Sequence, residues 1–193
     1  MQSFVRKLAE TVYLDYTRMK SKEEIIDVRD HLSQIVTALI MAPQLPHEFK
    51  AAARLFTELQ HIFSDTHFSL LLKKSYAERI SQAENLQMIT YVPEQISFHG
   101  LPKKELRDII SNRHFDMVID LNYDFDLVAT CLCRVSHAKL RVCLQHPKRD
   151  NLYNFQVRAD SNHSMEMKYD SLMKYLSLFK PLPDSPSRDL MPA

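Results

Sequence analysis

The sequence predicts an α/β fold: a Rossmann-like, doubly wound, mostly parallel sheet between helices, preceded by an N-terminal helical extension. Three observations lead there. Short, nearly continuous apolar runs recur along the chain, as at residues 35–41 and 115–121, and such runs mark strands buried on both faces. Stretches with apolar residues at helical spacing lie between them. Prolines stand just beyond two of the runs, at Pro43, Pro46 and Pro93, where a central strand must stop. Strands alternating with helices argue βαβ units, and the right-handed crossover rule narrows these to a doubly wound sheet.

Taken in order, residues 4–19 read as a helix with Phe4, Val5, Leu8, Val12 and Tyr16 near one stripe. Such a stripe is expected to pack against the helices of the sheet. Residues 21–31 read as a second helix, with Ser21 and Glu24 in capping-box spacing. The first strand is 35–41. A helix over 47–63 follows, placing Phe49, Ala52, Phe56, Leu59 and Phe63 on one face. A strand at 67–72, a helix at 74–83 and a strand at 88–92 come next. Pro102 stands where a first helical residue belongs, ahead of Leu106, Ile109 and Ile110. The central strand 115–121, a helix at 125–135 and strands at 140–144 and 153–157 complete the sheet. Leu172, Tyr175, Leu176 and Phe179 carry the last helix, and residues 181–193 form a polar, proline-rich tail expected to be disordered. One domain over 35–180, with an extension over 1–34, is the expected organisation.

Composition mostly excludes. The chain has 193 residues, 45% of them hydrophobic, and 25 Lys+Arg against 24 Asp+Glu. Near-neutral charge gives no basis for nucleic-acid binding. No apolar run approaches the ~20 residues of a membrane-spanning helix. The opening residues lack the order of a secretory signal, so a cytoplasmic protein is expected. There is a single glycine, Gly100, where average usage of about 7% would give roughly a dozen. A glycine loop cradling phosphates is therefore excluded. Cys131, Cys133 and Cys143 include no C-x-x-C and read as reduced, partly buried thiols. The nine histidines form no metal-ligand pattern, so neither a metal nor a cofactor is expected.

Four segments resemble the N-terminal, acceptor-side domain of family 9 glycosyltransferases, the heptosyltransferases of lipopolysaccharide assembly. The leading strand 35–41 precedes a loop and a long helix. That helix ends in Leu59-Gln-His-Ile-Phe-Ser-Asp-Thr66, similar to the family's L-R-x-x-F-P-D-A. Phe68-Ser-Leu-Leu-Leu-Lys-Lys74 resembles I-T-L-L-V-x-x. Arg113-His-Phe-Asp-Met-Val-Ile-Asp-Leu121 resembles R-F-D-L-V-I-D-L, which the family continues with Gln-Gly. The resemblance implies half of a GT-B fold. It also sets departures: Asn122-Tyr123 replaces Gln-Gly, and counting back from Asp65 puts His47-Glu48 where the family has Gly-Asp, whose Asp is the presumed base.

Candidate site residues follow. Glu48 with His47 is the enzymatic candidate, a carboxylate and an imidazole at the C-terminal edge of the sheet. A Glu in the first turn of a helix is equally explained by the helix dipole. Asp120, Asn122, Asp124 and Asp126 cluster just after the central strand as candidates for meeting a divalent cation or a sugar hydroxyl, with Tyr123 placed to stack on a ligand. Asp124 or Asp126 as a helix N-cap accounts for the acids more simply. Arg6, Lys7, Arg18, Lys20 and Lys22 beside the apolar stripe of the first helix raise peripheral association with the inner membrane as a weaker expectation.

Since 193 residues leave no room for a second Rossmann lobe, the expectation is a truncated, stand-alone relative that is not an enzyme. It would act as a binding or assembly module with a protein partner or a second copy. The alternative is a minimal transferase using Glu48 as base, its donor site supplied by a partner subunit.

Overall fold

The apolar runs form six strands, and every pairing among them is parallel. The computed structural model describes residues 2–20, 27–80 and 86–178. Its elements are α1 (Gln2–Lys20), α2 (Val28–Ser33), β1 (Thr37–Met41), α3 (Pro46–Ile62), β2 (His67–Lys73), β3 (Leu86–Tyr91), α4 (Lys104–Ser111), β4 (Met117–Asp120), α5 (Leu127–Val135), β5 (Leu140–Leu144), β6 (Phe155–Val157) and α6 (Met165–Leu178). Strand order is β3-β2-β1-β4-β5-β6. The order reverses between β1 and β4, which is where doubly wound sheets leave a crevice at their carboxyl ends.

Strand alternation sorts the core into two layers. Ala38 and Ile40 of β1 face the layer containing Leu55 and Leu59 of α3 and Leu172 and Leu176 of α6. Leu39 and Met41 face the other, with Leu106 and Ile110 of α4 and Leu132 of α5. Both faces of the central strands are thus dry, which is why their sequence is continuously apolar. At the amino edge, Asp116 Oδ2 accepts the backbone N–H groups of Val36 and Thr37 at 3.0 and 2.9 Å. These bonds fix where β1 begins beside β4.

Several elements differ from expectation for local reasons. The expected helix over 74–83 is a 3-10 turn, Lys74–Arg79, within the described residues. Pro102 bridges to Ile96 instead of opening a helix, and α4 starts at Lys104. The second helix is capped by Asp27, whose carboxylate accepts the N–H groups of Arg29 and Asp30. Ser21, Lys22, Glu24, Phe179 and the tail 181–193 lie outside the described residues.

The largest correction concerns α1. Phe4, Leu8, Val12 and Tyr16 are each more than half exposed, while Leu14 and Thr17 are buried. The helix seats its other face on the carboxyl edge of the sheet, with Leu14 and Thr17 beside Pro147 and Leu152. Lys148 Nζ holds Glu10 there at 2.6 Å. Cys131, Cys133 and Cys143 are free and buried. Among the described residues no helix is long and apolar enough to cross a membrane.

Candidate functional site

The carboxyl ends of β1 and β4 are built around Asp120, the last residue of β4, which is wholly buried. Its Oδ1 accepts the backbone N–H and the side-chain amide of Asn122 at 3.0 and 2.7 Å. Its Oδ2 accepts the Tyr153 hydroxyl at 2.6 Å and lies 3.6 Å from Nη2 of Arg149, also wholly buried. Arg149 donates to the carbonyls of Asn122 and Asp124 at 2.8 and 2.6 Å, clamping the turn after β4. Burial and the Asp120 charge push the Tyr153 hydroxyl well above its ordinary pKa, so it stays a donor.

Asp120 and Asn122 are therefore internal braces of the switch point. Tyr123 is half-buried and lies under Lys168, whose Nζ is 3.9 Å from the ring centroid, so that face of the ring is covered. The Asp124 side chain is exposed. Among the described residues no three His, Cys, Asp or Glu side chains converge as metal ligands.

Glu48 sits in the first turn of α3 with 2% of its surface exposed. One carboxylate oxygen accepts the Tyr123 N–H at 3.4 Å. Burial raises its pKa, with that hydrogen bond working the other way. His47 is exposed. The carboxylate and imidazole taken together as the enzymatic candidate are thus split between interior and solvent.

The open space lies to one side, over the carboxyl ends of β1, β2 and β3. It is a cleft of about 390 Å³ whose lining includes Gln44, Lys73, Tyr91, Ser97 and Asp126, with Arg6 and Glu10 of α1 along its rim. Gln44 follows β1 and its side-chain amide donates to the Tyr91 hydroxyl. Asp126 N-caps α5, its Oδ1 accepting the Ala129 N–H at 2.7 Å. Burial raises the Asp126 carboxyl from its ordinary value to about 6; the Ala129 bond opposes this, the Asp120 charge adds to it and Lys73 offsets part.

The cleft also explains the single glycine. Gly100 has φ +86°, the left-handed region that L-residues avoid. It closes a tight loop, donating its N–H to Ser97 O at 2.9 Å while Ser97 N–H bonds Leu101 O at 2.8 Å. This loop, through Ser97, His99 and Gly100, forms part of the cleft wall.

Sequence reading placed Asp126 in the acidic cluster after the central strand, with capping as the simpler account, and Arg149 only as half of the basic pair Lys148-Arg149. Asp126 is a cap as well, and a one-dimensional pattern carries no sign that its carboxylate also meets a cleft. For Arg149 no signal existed, because Lys148-Arg149 looks the same whether its arginine is solvated or buried.

Solved structures share this fold. The E. coli heptosyltransferase WaaC with ADP matches with a TM-score of 0.56 and 17% identity, over 78% of this chain and 49% of that one. The glycosyl transferase family 9 protein from Veillonella parvula DSM 2008 gives 0.55 and 13%, over 79% and 43%. The E. coli ADP-heptose lps heptosyltransferase II gives 0.56 and 12%, over 77% and 44%. The chain spans about half the length of these proteins or less. No curated protein matches by sequence. The expectation that the chain is not an enzyme is corrected here, because the proteins whose fold it shares are glycosyltransferases, which are enzymes. The model of one family matches residues 16–179, most of the chain, and the protein belongs to that family, described as Family of unknown function (DUF6913).

Proposed function

We propose that this chain is the acceptor-side half of a glycosyl-transfer site, with Asp126 as the general base. The observation that carries the reading is the Asp126 carboxyl, lining a cleft at the carboxyl edge of the sheet and shifted to about 6. A carboxylate with that pKa is ionised at neutral pH yet more basic than an ordinary one, which suits proton removal from a hydroxyl. The likeness to glycosyltransferases supports the reaction class.

In this reading an acceptor hydroxyl hydrogen-bonds Asp126 while Gln44, Lys73, Tyr91 and Ser97 orient the rest of the acceptor. The oxygen attacks the anomeric carbon of a nucleotide-activated sugar, its proton passing to Asp126. The bond from that carbon to the diphosphate breaks, and its electron pair leaves with the nucleotide. The donor is held by a second lobe, which sits on a partner subunit or elsewhere in the polypeptide. Glu48, the carboxylate that the family resemblance points to, instead supports the Tyr123 turn, since it is shielded and already engaged.

The test is release of nucleoside diphosphate from ADP-, UDP- and GDP-sugars by the full chain together with whatever copurifies from its native source. Asp126→Asn is expected to lose at least a hundredfold, within the ~10²–10⁴ typical of a general base. Glu48→Gln should retain most of the activity. A reversed ranking of the two variants would move the base to Glu48, and no release with any donor would remove the reading.

A further inference from the structure

We propose that Tyr91 and Ser97 decide which molecules the cleft admits, each donating its hydroxyl hydrogen to an oxygen that neighbours the hydroxyl held by Asp126. The inference rests on the cleft being the acceptor site of the proposed reading. It names the class of molecule bound there: a ring with oxygens on adjacent carbons, as in a sugar or a cyclitol, and not a lone alcohol.

Both hydroxyls already accept a hydrogen bond from a group that the fold holds in place. The Gln44 side-chain amide donates to the Tyr91 oxygen. Gln44 is fixed at two further points, its N–H bonding Asn122 Oδ1 at 2.9 Å and its carbonyl accepting the Tyr76 hydroxyl at 3.2 Å. Tyr76 in turn stacks on Phe49, the ring centroids 4.3 Å apart. In the loop that Gly100 closes, the Leu101 N–H donates to Ser97 Oγ at 3.2 Å.

A hydroxyl has one hydrogen to give. Neither Tyr91 nor Ser97 gives it to a protein group among the described residues, and both line the cleft. Tyr91 is only 4% exposed, and a buried donor without an acceptor carries a desolvation cost that a ligand oxygen relieves. Burial and the Asp126 charge raise the Tyr91 pKa, so the phenol stays protonated and able to donate.

Asp126 has the opposite character. Its Oδ1 accepts the Ala129 N–H at 2.7 Å, and its Oδ2 has no hydrogen bond among the described residues. Glu10, the other carboxylate lining the cleft, is engaged by Lys148 at 2.6 Å. A hydroxyl bound at Asp126 therefore brings its neighbouring atoms toward two hydroxyls in search of acceptors. Hydroxyl and ether oxygens meet that demand. Methylene groups leave Tyr91 and Ser97 unpaired, which is how a polar site rejects an analogue that lacks an oxygen.

The probes that test this are cyclohexanol, its cis vicinal diol and its all-cis vicinal triol, which share one ring and add oxygens one at a time. Binding to the isotope-labelled full chain is read from the amide shifts of Ser97, Gly100 and Ala129. Affinity should rise about fivefold with each added oxygen, the usual net worth of one hydrogen bond. Tyr91→Phe and Ser97→Ala should each remove about one step of that ladder. Gln44→Glu should remove the Tyr91 step while keeping the phenol, because the new carboxylate draws the Tyr91 hydrogen to itself. A merely structural role for these residues would lower the melting temperature and leave the ratios between probes unchanged. Equal affinity for the three probes overturns the proposal, as does a ladder that any of the three variants leaves intact. No shift with the triol at about 50 mM, well above the millimolar Kd expected of so small a ligand, also overturns it. The sugar-transfer reading fails separately. A steep ladder with no nucleotide release from any donor supports the oxygen pattern and removes only the transfer step, whereas Asp126-dependent release with a flat ladder overturns the oxygen pattern alone.

Discussion

Asn122 Oδ1 accepts the backbone N–H of Gln44 at 2.9 Å, joining the turn after β1 to the turn after β4 through one side chain. Its amide nitrogen is meanwhile donated to Asp120. The two loops flanking the topological switch therefore move as one unit, and the cleft that Gln44 lines inherits its shape from Asn122.

Asn122→Ala should cost about 2–3 kcal/mol, because it leaves the buried Asp120 oxygen and the Gln44 N–H short of partners. Urea denaturation with an unchanged m-value would register this as lost stability. An effect under half a kcal/mol would mean the two turns are held independently.

Arg149→Met should cost about 3–5 kcal/mol by stranding the buried Asp120 charge. The double change Asp120→Asn, Arg149→Met should be less destabilised than the sum of the singles, since the uncompensated charge is gone. Additive losses in the full cycle would show that the two side chains do not act as a pair.

Two aspartates should titrate stability in opposite senses. Asp126 has its folded carboxyl raised from 3.8 to about 6, so the folded state holds the proton more tightly. The fold is then favoured at low pH, and that advantage fades as pH rises from 3.8 through about 6. Asp126→Asn keeps the helix cap and should melt at or above the parent temperature at neutral pH, the gain vanishing toward 3.8. For Asp116, burial acts to raise the pKa, but hydrogen bonds from Thr37 and Val36 outweigh it and hold it below 3.8. Its stabilisation is present above 3.8 and lost as pH falls through the lower folded value. Asp116→Asn should therefore lose stability at neutral pH and converge on the parent in acid. Paired thermal melts across this range check both signs.

Gly100→Ala should cost about 1–2 kcal/mol from the left-handed backbone alone. An added Cβ meets its nearest neighbour, Arg6 Cγ, only at ordinary contact distance, 3.7 Å. Asn, which tolerates that backbone better, should cost less. Equal melting temperatures for the parent and Ala variants would show that the loop relaxes without penalty.

Legibility in the sequence followed the range of the interactions. Strands β1, β2, β4 and β5 could be read because a segment buried on both faces must be largely apolar, whatever it packs against. Asp126 was readable as a cap because capping reaches only three residues. The α1 stripe misled because helical spacing reports that a face is apolar and not which way it turns. On this protein Leu14, Thr17, Glu10 and Lys148 decide the orientation, and the last of these is 138 residues from its partner.

By itself the sequence determined a parallel α/β sheet, the absence of a glycine phosphate loop, and a likeness to one lobe of a transferase. Tertiary structure alone decided which acids are available for chemistry. It sank Asp120 against Arg149, shielded Glu48 under the Tyr123 turn, and left Asp126 at a cleft. The physical reason is that desolvation and pairing depend on groups brought together from 25 or more positions away, and local pattern carries no record of them.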